Sequence, residues 1–165
     1  FGSLICILTD FSNDEPNAIL RPREIGRGEV LAHGEDVLIL GLGHMCNTAM
    51  ELRELLKDLG INATVADPVF VKPLDKLLLE ELLETHKTLI TIEEHSLESG
   101  LGNAVNHFLA KQHINDINVM NFGIPDTFVQ QGSYKELMEE LNLNAEQIFN
   151  SFTQSKAFEP FKAYV

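Results

Sequence analysis

Tryptophan is absent from this sequence, and tyrosine and cysteine occur only twice each. Two cysteines cannot build a disulfide framework. Neither Cys6 nor Cys46 has the CxxC or Cys–His spacing of a zinc site. Both lie in apolar runs and read as reduced, buried thiols of a cytosolic protein. Basic residues are scarce: 12 Lys and Arg stand against 25 Asp and Glu, for a formal net charge of −13. That balance excludes nucleic acid as a partner, because binding a phosphate backbone needs a basic face. It leaves room for a small anionic ligand, which needs only one or two cations and a helix N-terminus. No apolar run approaches the ~20 residues of a membrane span, and no secretory signal is visible. The expectation is therefore a cytoplasmic protein with no membrane partner.

What is present is ordinary for a folded domain. Of 165 residues, 44% are hydrophobic, and a chain of this length buries roughly 70% of the surface its unfolded form exposes. The opening, "FGSLICILTDFSNDEPNAILRPR", is an apolar segment followed by an acidic, proline-bearing stretch. It reads as the tail of an upstream domain and a linker, residues 1–24. Residues 25–152 read as one domain, and 153–165 as a frayed C-terminal tail.

Five segments have strand character: 29–34, 36–43, 62–68, 88–94 and 117–123. Runs such as "VLIL" and "TLITI" are apolar on both faces, as parallel strands covered by helices are. Between them lie helical patterns at 45–60, 74–86, 102–113, 133–142 and 144–152. Gly60 reads as a C-cap, Asp75 falls in an acidic first turn, and Ser133 with Glu136 forms a capping box. Asn144 with Gln147 repeats that box. Alternation of buried strands with helices predicts a three-layer α/β/α sandwich. Its five-stranded sheet is mostly parallel. The short strand at 29–34 reaches the next one through a tight turn and is predicted to be an antiparallel edge strand.

Four stretches carry candidate chemistry. In "LGLGHM", residues 40–45, glycines end a strand and open a helix, but Cys46 breaks the GxGxxG pattern. A structural turn is the plainer reading, with His44 turned toward a ligand or a partner domain as the sharper one. In "TIEEHS" the pair Glu93–Glu94 sits at the carboxyl end of a central strand, where α/β proteins place ligands. Adjacent strand residues point to opposite faces, so these two do not form a catalytic carboxylate pair. One is expected to turn inward and hydrogen-bond a neighbouring loop, the other to face solvent. His95 is an acid/base candidate or simply a surface histidine. The glycines of "ESGLGNAV", 98–105, suit either anion binding or close helix–strand packing, and no cation lies nearby in sequence. Finally, Arg21, Arg23 and Arg27 are the only concentrated positive charge. They suit bidentate phosphate recognition or salt bridges to an acidic surface. No GxSxG, HExxH, P-loop or reactive-cysteine pattern occurs.

Read in order, "EPNAILRPREIGRGEVL", "DVLILGLGHM", "GINATVADPVFVKPLD", "LITIEEHSLESGLGNAV", "FGIPDTFVQQGS" and "LMEELNLNAEQI" resemble one family over about residues 4–150. That family is the C-terminal, transketolase-like domain of 1-deoxy-D-xylulose-5-phosphate synthases. The segments "GIPDTFVQQGS" and "LNLNAEQI" separate it from transketolases and 2-oxo-acid dehydrogenase β subunits. The resemblance implies a homodimeric, three-domain enzyme that uses thiamine diphosphate and Mg²⁺. Such an enzyme decarboxylates pyruvate and joins the two-carbon unit to D-glyceraldehyde 3-phosphate. The product feeds isoprenoid, thiamine and pyridoxal synthesis. It also implies that the cofactor is held by the upstream catalytic domains, so this chain alone is expected to be inactive. The family's linker pattern A-[VI]-R-Y-P-R-G supplies an arginine to the substrate phosphate. Here Arg23 matches its last arginine and Arg21 stands where the tyrosine would. Leu20 replaces the first arginine and Glu24 the glycine. Glu24 opposes an anion, so Arg21 joins Arg23 as a candidate. His44, Glu93, Glu94 and His95 are expected at a domain interface edging the active site. The competing expectations are the same domain in another thiamine diphosphate enzyme, or a free-standing binding module.

Overall fold

The structure, a computed structural model, describes residues 24–129 and 131–164. Arg21 and Arg23 lie outside those residues. The chain runs β1 (Glu29–Ala32), β2 (Val37–Gly41), α1 (Met45–Asp58), β3 (Ala63–Asp67), α2 (Lys76–Thr85) and β4 (Thr88–Ser96). It continues with α3 (Leu101–Lys111), β5 (Asn118–Ile124), α4 (Tyr134–Glu140) and α5 (Ala145–Thr153), and ends in a 3₁₀ helix, Lys156–Tyr164. The expected five-stranded sheet forms in the order β1-β3-β2-β4-β5. Strands β3, β2, β4 and β5 are parallel, and β1 is the antiparallel edge.

Alternation along the buried strands divides the core between two faces. Val37 and Ile39 of β2, with Ile90 and Ile92 of β4, meet α1, α5 and the 3₁₀ helix. Leu38 and Leu40 of β2, with Leu89 of β4, meet α2 and α3. In α1, Met45, Ala49, Leu52 and Leu56 recur at helical spacing on the buried side. The helix stops at Gly60, whose φ of +79° is the left-handed conformation of a C-cap.

Three local expectations are corrected. The tight turn after β1 does not pair it with β2. The Glu35 and Asp36 N–H groups both donate to the Asn62 carbonyl (3.0 and 2.9 Å), so the turn crosses the start of β3. Strand β1 then pairs with β3, which lies between it and β2. Asp75 is the N-cap of α2 rather than part of its first turn, and accepts from the Leu78 N–H (3.1 Å). Residues 153–165 are not frayed throughout. Phe158 and Phe161 of the 3₁₀ helix are buried against Phe152, with ring centroids 5.5 and 6.0 Å from it.

The helix caps of the C-terminal half follow from sequence in one case and half follow in the other. Ser133 and Glu136 make the full reciprocal box at the start of α4. At α5, Asn144 accepts from the Gln147 N–H, but the Gln147 amide donates to the Glu139 carbonyl (3.0 Å) instead of returning to the cap.

Candidate functional site at the carboxyl edge of the sheet

The chain leaves β2 toward one side of the sheet and returns, through β3 and α2, to β4 on the other. The carboxyl ends of β2 and β4 therefore border the crevice where open α/β sheets hold ligands. The two strands remain joined there, since the Leu42 N–H donates to the Ile92 carbonyl (3.0 Å). Around this point the structure gathers the end of β4, the start of α1 and the start of α4.

Glu93 is fully buried at the end of β4. Its carboxylate accepts two backbone N–H groups at the start of α3, from Leu101 (2.6 Å) and Gly102 (2.9 Å). The α3 N-cap is Gly100, which has no side chain to cap with. The preceding strand thus supplies the cap, and its negative charge sits at the positive end of the helix dipole. A Cβ at position 100 would run into the Glu93 carboxylate, which is why glycine stands there. The glycines of 98–105 therefore serve close helix–strand packing, and Glu93 takes the place an anion would occupy.

Glu94 points the other way and is exposed. It lies close enough to the side chain of Tyr134, the first residue of α4, to disfavour ionisation of its phenol. The Tyr134 phenol is held well above its ordinary ionisation range. Burial of the hydroxyl is the main cause, followed by the nearby Glu94 carboxylate and the charge of Glu51. Its hydroxyl also lies 3.9 Å from the Met45 sulfur. His44 meets the Tyr134 ring edge-on, with centroids 5.3 Å apart. An open groove of about 700 Å³ runs from this cluster between α1 and α4, lined among others by His44, Glu51, Tyr134, Lys135 and Met138.

The structure thus brings His44 and Glu94 together, joined by Tyr134. Glu93 belongs to the helix cap, and His95 stands exposed beside the cluster. Sequence reading missed Tyr134. Its only signal was an aromatic placed directly after the Ser133 cap. Arg27 is engaged in ion pairs, 3.7 Å from Glu24 and 4.0 Å from Asp75. In the turn at 42–44, Gly43 takes a φ of +59°. Among the described residues, no three His, Cys, Asp or Glu side chains are grouped to hold a metal ion, and no helix is long and apolar enough to cross a membrane.

This parallel sheet, with its antiparallel edge strand and carboxyl-edge crevice, is that of a transketolase C-terminal domain. The chain matches the family described as "Transketolase, C-terminal domain" over residues 26–148 and belongs to that family. Within it, the chain is 49% identical over 126 residues to 1-deoxy-D-xylulose-5-phosphate synthase of Chlamydia caviae. That alignment covers 76% of this chain and 19% of the relative's length. The corresponding synthase of Chlamydia pneumoniae is 42% identical over 136 residues, 82% of this chain and 20% of that protein. Among solved structures, a split-gene transketolase described as an inactive β4 tetramer superposes with a TM-score of 0.75 at 34% identity. It covers 86% of this chain and 46% of that one. The chain spans about a fifth of the length of the curated relatives it matches.

Proposed function

We propose that this domain works as the C-terminal part of a 1-deoxy-D-xylulose-5-phosphate synthase. In this reading the whole enzyme is a cytoplasmic homodimer. It decarboxylates pyruvate and adds the two-carbon unit to D-glyceraldehyde 3-phosphate, giving 1-deoxy-D-xylulose 5-phosphate and CO₂. The observation that carries the reading is the 49% identity to the Chlamydia caviae synthase along three quarters of the chain. A transketolase reading has weaker support, since the split-gene transketolase is 34% identical.

The described residues do not suit the thiamine diphosphate and Mg²⁺ of such an enzyme. Their one buried carboxylate at the crevice, Glu93, is engaged by α3, and no metal-ligand group occurs among them. The cofactor is assigned to the upstream domains. What this domain contributes is a packing surface at its carboxyl edge, where Glu94, His95 and His44 border the catalytic domains. Arg23, with Arg21 as the second candidate, is assigned to the phosphate of glyceraldehyde 3-phosphate. A charge-assisted contact of this kind contributes about 1.5–3 kcal/mol. In the full-length enzyme, R23A is expected to raise KM for glyceraldehyde 3-phosphate roughly 10- to 100-fold with KM for pyruvate unchanged. Equal effects on both substrates, or none, would remove Arg23 from the phosphate site.

A further inference from the structure

Phe128 is 97% exposed, more than any other large apolar side chain among the described residues. It sits in the short stretch Pro125–Val129 that follows β5 at the carboxyl edge of the sheet. A phenylalanine in water at a chain end needs no explanation, but this stretch is held on both sides. At its base, β5 continues to pair with β4 through Ser96 and Ile124, and the Leu97 N–H donates to the Ile124 carbonyl (3.0 Å). Within it, the Thr127 N–H donates to the Pro125 carbonyl (2.7 Å). Beyond it, α4 starts at the Ser133–Glu136 capping box, and Tyr134 packs on His44 at the N-cap of α1. A large aromatic side chain presented in water on a braced support has the form of an interface anchor. It loses little freedom on binding and buries a large apolar area.

The same edge receives the incoming chain. The Gly28 N–H donates to Asp75 at the start of α2 (3.0 Å), and Glu29 pairs with Asp67, the last residue of β3. The polypeptide therefore reaches β1 at the carboxyl edge of the sheet, at the opposite end of the strand order from β5 and Phe128. The relatives this chain matches carry about four fifths of their length outside the matched part. That edge is also acidic, with Glu94, Glu98 and Asp126 exposed on it.

From these placements we infer that Phe128 is the anchor by which this domain docks onto the catalytic part of its own enzyme. Its side chain enters an apolar pocket there whose rim is basic, facing Glu94, Glu98 and Asp126. This rests on the synthase reading above, and it names the residue that makes the contact and the chemistry of the surface that receives it.

The test places a photoreactive benzoyl-phenylalanine at position 128 in the native, full-length protein, with the same residue at exposed Lys111 as a control. Cross-linked peptides are then mapped by mass spectrometry. The expected result is a cross-link from position 128 to the upstream catalytic region, or to a separately encoded catalytic subunit. In addition, F128D is expected to weaken association of the domain with that region at least tenfold. The same variant should leave the melting temperature of the 165-residue chain unchanged. A cross-link into residues 24–165 of a second copy overturns the inference in favour of self-association. A yield no higher than at Lys111 overturns it outright. Synthase activity measured on the same preparation separates the two claims. Turnover without the cross-link refutes only the docking role of Phe128, whereas the cross-link without turnover refutes only the synthase reading.

Discussion

Glu93 is fully buried, and its carboxyl oxygens accept two backbone amides of α3 in place of solvent. Removing the carboxylate leaves both donors buried and unpaired, which costs about 1–3 kcal/mol per group. E93A is therefore expected to destabilise the domain by about 2–5 kcal/mol in urea unfolding, whereas E94A, at an exposed site, should change it by under about 1 kcal/mol. Equal losses would remove the capping role. Tyr134 makes a complementary prediction in pH. Its neutral form is favoured in the folded state, so its folded pKa lies above the ordinary value of 10.0. Protons are then bound more tightly by the folded chain above that value, and stability falls as pH rises from there. Wild type should lose stability above about pH 10 more steeply than Y134F, while the two run parallel below it. Parallel curves throughout would mean that neither burial nor Glu94 raises the Tyr134 phenol. The opposite orientations of Glu93 and Glu94 were legible from the sequence, because side chains alternate along a strand. Which of the two turned inward was not, since that depended on where α3 begins. Tyr134 lies 40 residues from Glu94, and no local pattern announces a contact across that separation.

At the scale of elements, periodicity located the five strands and five helices, because buried parallel strands and amphipathic helices leave strong signals. The pairing of β1 was not local. The turn at Gly34 suggested a hairpin, but the chain crosses β3 instead, and Gly34 exchanges hydrogen bonds with the Thr64 hydroxyl (2.9 and 2.8 Å). The C-terminal helix escaped for a different reason. Phe158 and Phe161 are three residues apart with Pro160 between them, a poor match to a 3.6-residue period but the repeat of a 3₁₀ helix. Phe152, Phe158 and Phe161 form one aromatic cluster on the face covered by α1 and α5. F161A is expected to destabilise by about 3 kcal/mol, as core phenylalanine truncations do. Thermal unfolding checks this, and a shift in melting temperature of a degree or less would return the segment to the status of a tail.

For the whole molecule, the carboxyl edge of the sheet is where its unusual features converge. The crevice between β2 and β4, the His44–Tyr134–Glu94 cluster, exposed Phe128 and the incoming chain all lie there. Among the described residues, the two faces of the sheet carry the hydrophobic core. The sequence carried the family through its ordered segments. It could not carry the His44–Tyr134–Glu94 cluster, which is assembled from element ends far apart in the chain. The most direct measurement isolates the native protein from its source cells with an antibody to this domain and assays the product formed from pyruvate and D-glyceraldehyde 3-phosphate. The account predicts CO₂ release and 1-deoxy-D-xylulose 5-phosphate, both dependent on the two substrates and on added thiamine diphosphate with Mg²⁺. Failure to form that product from a folded preparation, or ketose-to-aldose transfer in its place, would contradict it.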